Sequence, residues 1–262
     1  MTMSDDELQR LLRQAAAAVA DRLGDLDDWG LAGTRDGQHH SDLVADAAAL
    51  AVLRPAGVGV LSEESGVQPG AGPGPGDSDD GLVVVVDPLD GSTNAHHGIP
   101  WFATSLCAVD AAGPRAAVVL DLARGRRFEA LRGGGATVDG LPLRPTGCEE
   151  LGDAVVGVSG LPPRHLGWGQ FRALGAIALD LCAVAEGVLD GYVDCLPDAH
   201  GPWDYLGGLL VCREAGVPVA DASGRDLVVL DHAARRTPVA AATSQLFDQL
   251  AAQRPSSTSW SG

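Results

Sequence analysis

The amino-acid sequence predicts an α+β fold in which helices and strands interleave without a strict βαβ order. Leu/Ala segments of helical period alternate with short, valine-rich segments that are typical of strands. The 262 residues, 45% of them hydrophobic, are enough for a full core, and no internal repeat is visible. We therefore expect one domain over 1–262. Its N-terminal half should span about 1–145, its C-terminal half about 146–254, and a disordered tail should follow at 255–262.

In the N-terminal half, two helices are predicted ahead of a series of strands. Ser4 and Glu7 have the spacing of a capping box before a helix over 8–23, and a second helix is predicted over 42–53. Residues 66–81 are rich in Gly, Pro and Asp, which predicts a surface loop. Strands are predicted at 58–61, 82–86, 103–109, 116–120 and 128–131, with a hairpin turn at 138–141.

The C-terminal half is predicted to alternate strands with helices. A helix over 177–186 carries Ala and Leu on most faces and has Gly187 at its end, so we expect it to be buried. Another helix, 203–215, should end at Gly216. The remaining predicted elements are strands at 154–159, 192–195, 228–230 and 238–242 and a final helix at 244–252.

Composition excludes several classes of protein. A formal net charge of −17 without a basic stripe argues against binding to nucleic acid or to an anionic membrane. The first residues lack the basic and apolar regions of a signal peptide, and no apolar run is long enough to span a bilayer. Five widely spaced cysteines without a Cys-x-x-Cys pair predict free thiols in a reducing compartment. We therefore expect a cytoplasmic protein.

The most informative segment joins a buried strand, 82–86, to two aspartates and a Gly-Ser-Thr turn. Asp87 and Asp90, held close together at the end of such a strand, repel each other unless a cation lies between them. Ligands that offer only oxygen suit Mg²⁺, which also binds phosphate oxygens. Residues 91–93 supply backbone N–H groups, and one of the two hydroxyl residues is placed to cap a following helix. The segment therefore predicts a metal site next to a phosphate site.

Three motifs in this order resemble the signatures of the inositol monophosphatase family of Mg²⁺-dependent, lithium-sensitive phosphatases. They are Ser62-Glu63-Glu64-Ser65, Asp87-Pro88-Leu89-Asp90-Gly91-Ser92-Thr93-Asn94 and Gly201-Pro202-Trp203-Asp204-Tyr205-Leu206-Gly207-Gly208. The connecting sequence is similar from about 42 to 242. The resemblance implies a phosphoric monoester hydrolase. It also implies the layered αβαβα sandwich of the inositol monophosphatase and fructose-1,6-bisphosphatase type.

The resemblance also implies roles for particular residues. Two or three Mg²⁺ ions would be held by Glu63, Asp87, Asp90 and Asp204 and by the backbone carbonyl of Leu89. Glu63 and Ser92 would act on the attacking water, which the metal activates. The phosphate and the rest of the substrate would be bound by Asp90, Gly91, Ser92, Thr93 and Asp194.

Simpler interpretations stay open for several of these residues. Asp204 could be only an acid at a helix start, and Glu64 could take the place of Glu63. Asp194 could be a solvated acid at the end of a strand instead of a ligand for substrate hydroxyls. Three histidines are interpreted as loop residues, because Mg²⁺ prefers oxygen ligands: His96, His97 and His200.

The chain departs from the family pattern at three places. Residues 37–46 lack the usual lysine and threonine, which puts a third metal ion in doubt. The stretch 159–171 is shorter than usual and has lost an outer helix. The loop 194–204 is slightly longer. The last two changes surround the expected substrate pocket, so the substrate specificity of the family's name-giving member is not assumed for this chain.

The predicted function is that of a Mg²⁺-dependent phosphomonoesterase acting on a small polyol or sugar phosphate, inositol monophosphate first. Histidinol phosphate and adenosine 3',5'-bisphosphate are alternative substrates. A non-catalytic regulator that binds metal or ligand on the same fold is an alternative of another class. The expected partner is a small phosphorylated substrate, with no nucleic acid and no membrane, and a homodimer is left open.

Overall fold

The computed structural model of the protein describes residues 3–26, 29–32, 38–70 and 81–253. Its helices are α1 (Asp5–Gly24), α2 (His40–Leu53), α3 (Ser92–His97), α4 (Ile177–Glu186), α5 (Pro202–Glu214) and α6 (Ser244–Gln253). The predicted tail, 255–262, lies outside the described residues. Among the helices of the described ranges, none combines the length and the hydrophobicity that a membrane span requires.

The described strands form two sheets. The first has eight strands in the order β2-β1-β3-β4-β5-β6-β7-β8. They are β1 (Gly59–Ser62), β2 (Gly66–Gln68), β3 (Val83–Asp90), β4 (Ala103–Asp110), β5 (Gly113–Asp121), β6 (Arg127–Leu131), β7 (Gly135–Val138) and β8 (Leu141–Pro142). All neighbours pair antiparallel except β1 and β3, which are parallel.

The second sheet has five strands in the order β10-β9-β11-β13-β12. They are β9 (Val155–Ser159), β10 (Gln170–Arg172), β11 (Gly191–Asp194), β12 (Val219–Asp221) and β13 (Pro238–Ala241). β11 runs parallel to β9 and antiparallel to β13.

Side-chain alternation along β3 shows how the layers are built. Val84 and Val86 pack with α1 and α2 on one face of the first sheet, whereas Val83 and Val85 pack with α4 and α5 on the other. Because both faces are covered, every residue of β3 is buried, as the run of valines predicts. The second sheet covers the far side of α4 and α5, and α6 packs on its outer face. The order helix, sheet, helix, sheet, helix confirms the predicted αβαβα sandwich.

Most local predictions are confirmed. The capping box of Ser4 and Glu7 opens α1, and α2 begins two residues before the predicted 42. The hairpin turn at Asp139 and Gly140 has positive φ angles of 50° and 81°, as a type I′ turn requires. Residues 160–169 contain no helix, in agreement with the predicted loss of an outer one.

Two local predictions are wrong. Residues 228–230 are not a strand, because both sides of β13 are already occupied by β11 and β12. Of the predicted loop over 66–81, residues 66–68 instead form the short strand β2, and 71–80 lie outside the described residues. The edge strands β10 and β12 were not predicted.

All five cysteines are free thiols, and Cys148 alone among them is not buried.

Candidate metal centre

A β-bulge in β3 places both motif aspartates on the same face of the first sheet. Asp87 pairs with Ser105 of β4 and Asp90 with Ala103, so three steps along β3 oppose two steps along β4. Without the extra residue, side chains three positions apart would point to opposite faces. The bulge turns Asp90 to the face that carries α4 and α5, while Leu89 packs on the opposite face. The Leu89 N–H donates to Asp87 Oδ1 at 3.0 Å.

Glu63 and Asp204 reach Asp87 from two distant segments. Glu63 directly follows β1, and its N–H donates to the carbonyl of Val86 at 3.1 Å. Asp204 lies in the first turn of α5, where its Oδ2 accepts from the Gly201 N–H at 2.7 Å. The carboxylate oxygens of Glu63, Asp87 and Asp204 lie within 4.8 Å of one another. We call these three residues the carboxylate cluster.

Asp90 lies beside the cluster and connects it to α4. Its Oδ2 accepts from the Ala178 N–H in the first turn of α4 at 2.7 Å. This hydrogen bond uses one of the backbone donors that a helix start leaves without an internal partner. The same carboxylate is therefore close to the cluster and fixed to a helix of the middle layer.

Burial and mutual repulsion raise the pKa values of the two β3 aspartates. For Asp87, which is 1% exposed, burial has the largest effect, followed by the charges of Glu63, Asp90 and Asp204. Burial also leads for Asp90, followed by the charge of Asp204. Carboxylates this close are stable in their charged form when a cation lies among them. Oxygen-only donors in this arrangement fit a hard divalent ion such as Mg²⁺.

The hydrogen bonds of the neighbouring glutamate distinguish it from Glu63. An oxygen of Glu64, Oε2, accepts from the side-chain amide of Gln38. The backbone carbonyl of Glu63 lies 3.2 Å from Nε2 of His232, whose ring packs against Trp203. The structure thus brings Glu63, and not Glu64, to Asp87 and Asp204.

The turn after Asp90 differs from its prediction in one detail. Gly91, not Ser92 or Thr93, is the N-cap residue of α3, and no side chain caps this helix. Gly91 has a φ of 82°, and a Cβ there would lie 3.0 Å from the carbonyl oxygen of Trp101. Only glycine fits this left-handed position without strain. Ser92 and Thr93 therefore occupy the first helical positions, whose backbone N–H groups have no partner within the helix.

Asp194 is fully buried, and both of its oxygens face other parts of the protein. Oδ1 accepts from the Leu196 N–H at 3.0 Å, and Oδ2 lies 3.4 Å from Nε2 of His200. On its other side, Nδ1 of His200 lies 3.4 Å from Oδ2 of Asp204. Burial alone lowers the pKa of His200, but the carboxylates around it, those of Asp204, Asp194 and Asp180, raise it overall. His200, predicted to be an ordinary loop residue, lies between the predicted substrate acid and a predicted metal ligand.

Two further buried acids near the site were not identified from the sequence. Asp180, in α4, is 2% exposed and accepts from the indole N–H of Trp101 at 2.9 Å, and burial raises its pKa to about 7. An acid in the interior of an otherwise apolar helix was a usable signal. Asp46, in α2, accepts at Oδ1 from the hydroxyls of Ser62 at 2.5 Å and Ser65 at 3.2 Å.

Comparison with known proteins assigns the family. A sequence model of the inositol monophosphatase family matches residues 11–259. The chain belongs to this family. Membership makes it a metal-binding hydrolase of the phosphatase class.

Similar proteins carry several names. A fructose-1,6-bisphosphatase of Pyrococcus furiosus is 34% identical over 208 residues, 78% of each chain. An inositol-1-monophosphatase of Mesorhizobium japonicum is 38% identical over 194 residues, 68% of each chain. A Nus factor SuhB of Pasteurella multocida is 33% identical over 235 residues, 82% of this chain and 84% of that one.

Solved structures show the same fold. A Pyrococcus horikoshii protein described as similar to inositol-1 monophosphatase superposes with a TM-score of 0.79 at 26% identity, over 94% of this chain and 96% of that one. The SuhB protein of Bartonella henselae superposes with a TM-score of 0.76 at 27% identity, over 94% and 97% of the two chains.

Proposed function

We propose that the protein is a Mg²⁺-dependent phosphomonoesterase that hydrolyses a small polyol or sugar phosphate, with inositol monophosphate as the first candidate. The observation that carries this proposal is the carboxylate cluster, in which Glu63, Asp87 and Asp204 come together from three separate segments. In a protein of net charge −17, a phosphate ester would be repelled unless cations reversed the local field.

The residues proposed to hold two or three ions are Glu63, Asp87, Asp90 and Asp204 and the backbone carbonyl of Leu89. When bound, Mg²⁺ supplies positive charge that neutralises the phosphate group and activates water. Glu63 is proposed to accept a proton, because a carboxylate suffices as a base for a water of lowered pKa. The Ser92 hydroxyl is proposed to orient that water. The phosphate is proposed to accept hydrogen bonds from the backbone N–H groups of Ser92 and Thr93 at the start of α3, and Asp90 and Gly91 are proposed to complete the substrate site.

The alcohol part of the substrate has several candidates. Relatives named fructose-1,6-bisphosphatase make a sugar bisphosphate a candidate beside inositol monophosphate. Histidinol phosphate and adenosine 3',5'-bisphosphate stay as alternatives. That Asp194 binds substrate hydroxyls also stays a prediction. Its carboxylate is fully buried and lies against His200.

A regulatory role is the second candidate function, because relatives are named Nus factor SuhB. The two roles make different demands on the site. A regulator does not need Glu63 and Asp204 to face Asp87, whereas phosphoryl transfer depends on charge neutralisation at that place. The carboxylate cluster therefore favours catalysis.

A cytoplasmic location and a single domain are part of the proposal. Four buried free thiols support a reducing compartment. The core that joins α4 and α5 to both sheets supports one domain. The net negative charge supports a small-molecule partner over nucleic acid. A homodimer stays a prediction that light scattering would test.

The proposed function is tested by measuring phosphate release with Mg²⁺ over a panel of phosphates. The panel contains inositol, sugar, sugar bis-, histidinol and nucleotide phosphates, with EDTA in parallel. We expect Mg²⁺-dependent release that EDTA abolishes and that is fastest for a polyol or sugar phosphate. If folded protein binds Mg²⁺ but releases phosphate from no member of the panel, the result contradicts the proposed enzymatic function and favours the regulatory role.

A further inference from the structure

The longer loop between β11 and α5 brings a histidine into the site that the family resemblance did not assign. His200 is fixed at its backbone, where its N–H donates to the Arg236 carbonyl at 3.2 Å and its carbonyl accepts from the Arg236 N–H at 2.8 Å. The Tyr192 hydroxyl, fully buried below it, lies 3.3 Å from Nε2. Only 16% of the His200 side chain is exposed. The imidazole is therefore held from its backbone and from its Nε2 side.

The other side of the ring faces a proposed metal ligand. Nδ1 of His200 and the Gly201 N–H both approach the same oxygen, Oδ2 of Asp204, at 3.4 and 2.7 Å. Two donors on one oxygen restrict rotation of the carboxylate and so restrict where its other oxygen points. A hydrogen-bond partner that fixes the direction of a ligand is a recurring part of metal sites.

Asp194 lies on the far side of the imidazole from Asp204. It has no exposed surface, and His200 separates it from the carboxylate cluster. An acid placed in this way can influence the site through the ring that it contacts. It cannot reach a substrate hydroxyl unless the ring moves away.

We propose that His200 is a positioning residue, held in place by Asp194, that orients the Asp204 carboxylate toward the carboxylate cluster. This inference rests on the proposed function to the extent that Asp204 is a metal ligand. It assigns to Asp194 an indirect role in place of a direct contact with substrate. It does not depend on the charge of the ring: Nδ1 can donate to Asp204 while Nε2 either accepts from Tyr192 or donates to Asp194.

The proposal is tested by measuring Mg²⁺ and Mn²⁺ binding calorimetrically without substrate, and then kcat, KM and the Mg²⁺ activation constant. We expect His200→Ala to weaken metal binding by about 10- to 100-fold, the usual cost of losing a partner that orients a ligand. His200→Asn should recover part of this loss, because its amide can occupy the position of Nδ1 and donate to Asp204. The matched control is His165→Ala, since His165 is exposed and its ring contacts Gly167 and Trp168.

Asp194→Asn decides between the two roles of that acid. If Asp194 acts through His200, Asp194→Asn weakens metal binding, and adding it to His200→Ala causes little further loss, because coupled residues are not additive. If Asp194 binds substrate directly, the same change raises KM for polyol phosphates and leaves metal affinity unchanged, which overturns the proposal.

Circular dichroism and thermal melts check that each variant folds. If His200→Ala does not fold, His200→Asn and Asp194→Asn provide the test. Unchanged metal affinity in folded His200 variants overturns the inference whatever the enzyme hydrolyses. Wild-type protein that binds metal but hydrolyses no phosphate contradicts the proposed function instead. The calorimetric comparison then still decides the role of His200.

Discussion

Two buried aspartates of this protein, Asp221 and Asp87, have nearly the same exposure and opposite electrostatic environments. Asp221, at the end of β12, is 3% exposed. Its carboxylate accepts from Nε of Arg225 at 2.8 Å, from the Thr237 N–H at 2.8 Å and from the Ser223 N–H at 3.1 Å. Burial raises the pKa of Asp221, but the Arg225 guanidinium and the backbone N–H groups of Thr237 and Arg225 lower it overall.

Asp87 accepts a hydrogen bond from the Leu89 N–H and otherwise faces other acids. Burial and the charges of Glu63, Asp90 and Asp204 raise its pKa. Burial alone therefore does not separate a structural acid from a functional one. Asp221 has its counter-charge within the fold, whereas the charge at Asp87 needs one from outside. This difference is the physical reason for assigning metal binding to one acid and stability to the other.

The largest expected effect is on turnover. Asp90→Asn should lower Mg²⁺-dependent phosphate release by about 10³-fold, as when a group that stabilises a transition state electrostatically is lost. Asp221→Asn should change turnover only a few-fold, in conditions where the protein stays folded. Steady-state assays over a range of Mg²⁺ concentrations measure both, with Asp153→Asn as the control because Asp153 is exposed. Near-normal activity of Asp90→Asn would contradict the metal assignment.

Glu63 and Glu64 give the next largest contrast, because adjacent residues of the same type face different groups. Glu63→Gln should lower kcat by about 10²-fold, the usual contribution of a general base, with a smaller change in KM. Glu64→Gln should be tolerated, since the side-chain amide of Gln38 can bond to the remaining carbonyl oxygen. Parallel kcat and KM measurements test this pair. The reverse result would show that the assignment of the glutamates is off by one residue.

Stability should change in opposite directions at the two aspartates. Asp221→Asn leaves Arg225 and several N–H groups without their acceptor charge, so unfolding should become easier by about 2–3 kcal/mol. Asp87→Asn removes repulsion and keeps an oxygen for the Leu89 N–H, so the metal-free protein should gain about 1 kcal/mol. Urea unfolding in EDTA measures both free energies. A loss of stability in Asp87→Asn would mean that repulsion does not dominate at the cluster.

The pH dependence should be the smallest effect. Asp87, Asp90 and Asp180 have folded pKa values above their unfolded ones, that of Asp180 being about 7. They bind protons more tightly when folded, so metal-free stability falls as pH rises from about 4 through 7. Asp221 has a lowered pKa and acts in the opposite sense: it loses its contribution as pH falls below about 4.

Mg²⁺ should therefore raise the melting temperature more at pH 8 than at pH 5, because ions replace protons among the acids. Thermal melts with Mg²⁺ and with EDTA across this range test the expectation. The same melts on Asp87→Asn, whose cluster carries one charge less, should show a smaller difference. An equal Mg²⁺ effect at both pH values would indicate that the cluster is already compensated from within the protein.

Much of the fold followed from the sequence because the relevant signals are local. The valines of β3, the capping box of α1 and the Asp139-Gly140 turn each act over a few residues. The short edge strands β10 and β12 were missed because a strand of three residues depends on the partner beside it more than on its own pattern. Residues 228–230 have the composition of a strand but join neither sheet, and both sides of β13 are occupied by β11 and β12.

The sequence by itself determined that Asp87 and Asp90 lie at the end of a buried strand and that three motifs carry the acids of one site. Tertiary structure decided the rest: the bulge that turns Asp90 toward α4, the position of Asp180, and the placement of His200 between Asp194 and Asp204. Hydrophobic period and turn chemistry depend on neighbours along the chain, so they can be read from the sequence. Contacts between distant charged side chains exist only after the layers have packed, because packing sets both their separation and the solvent around them.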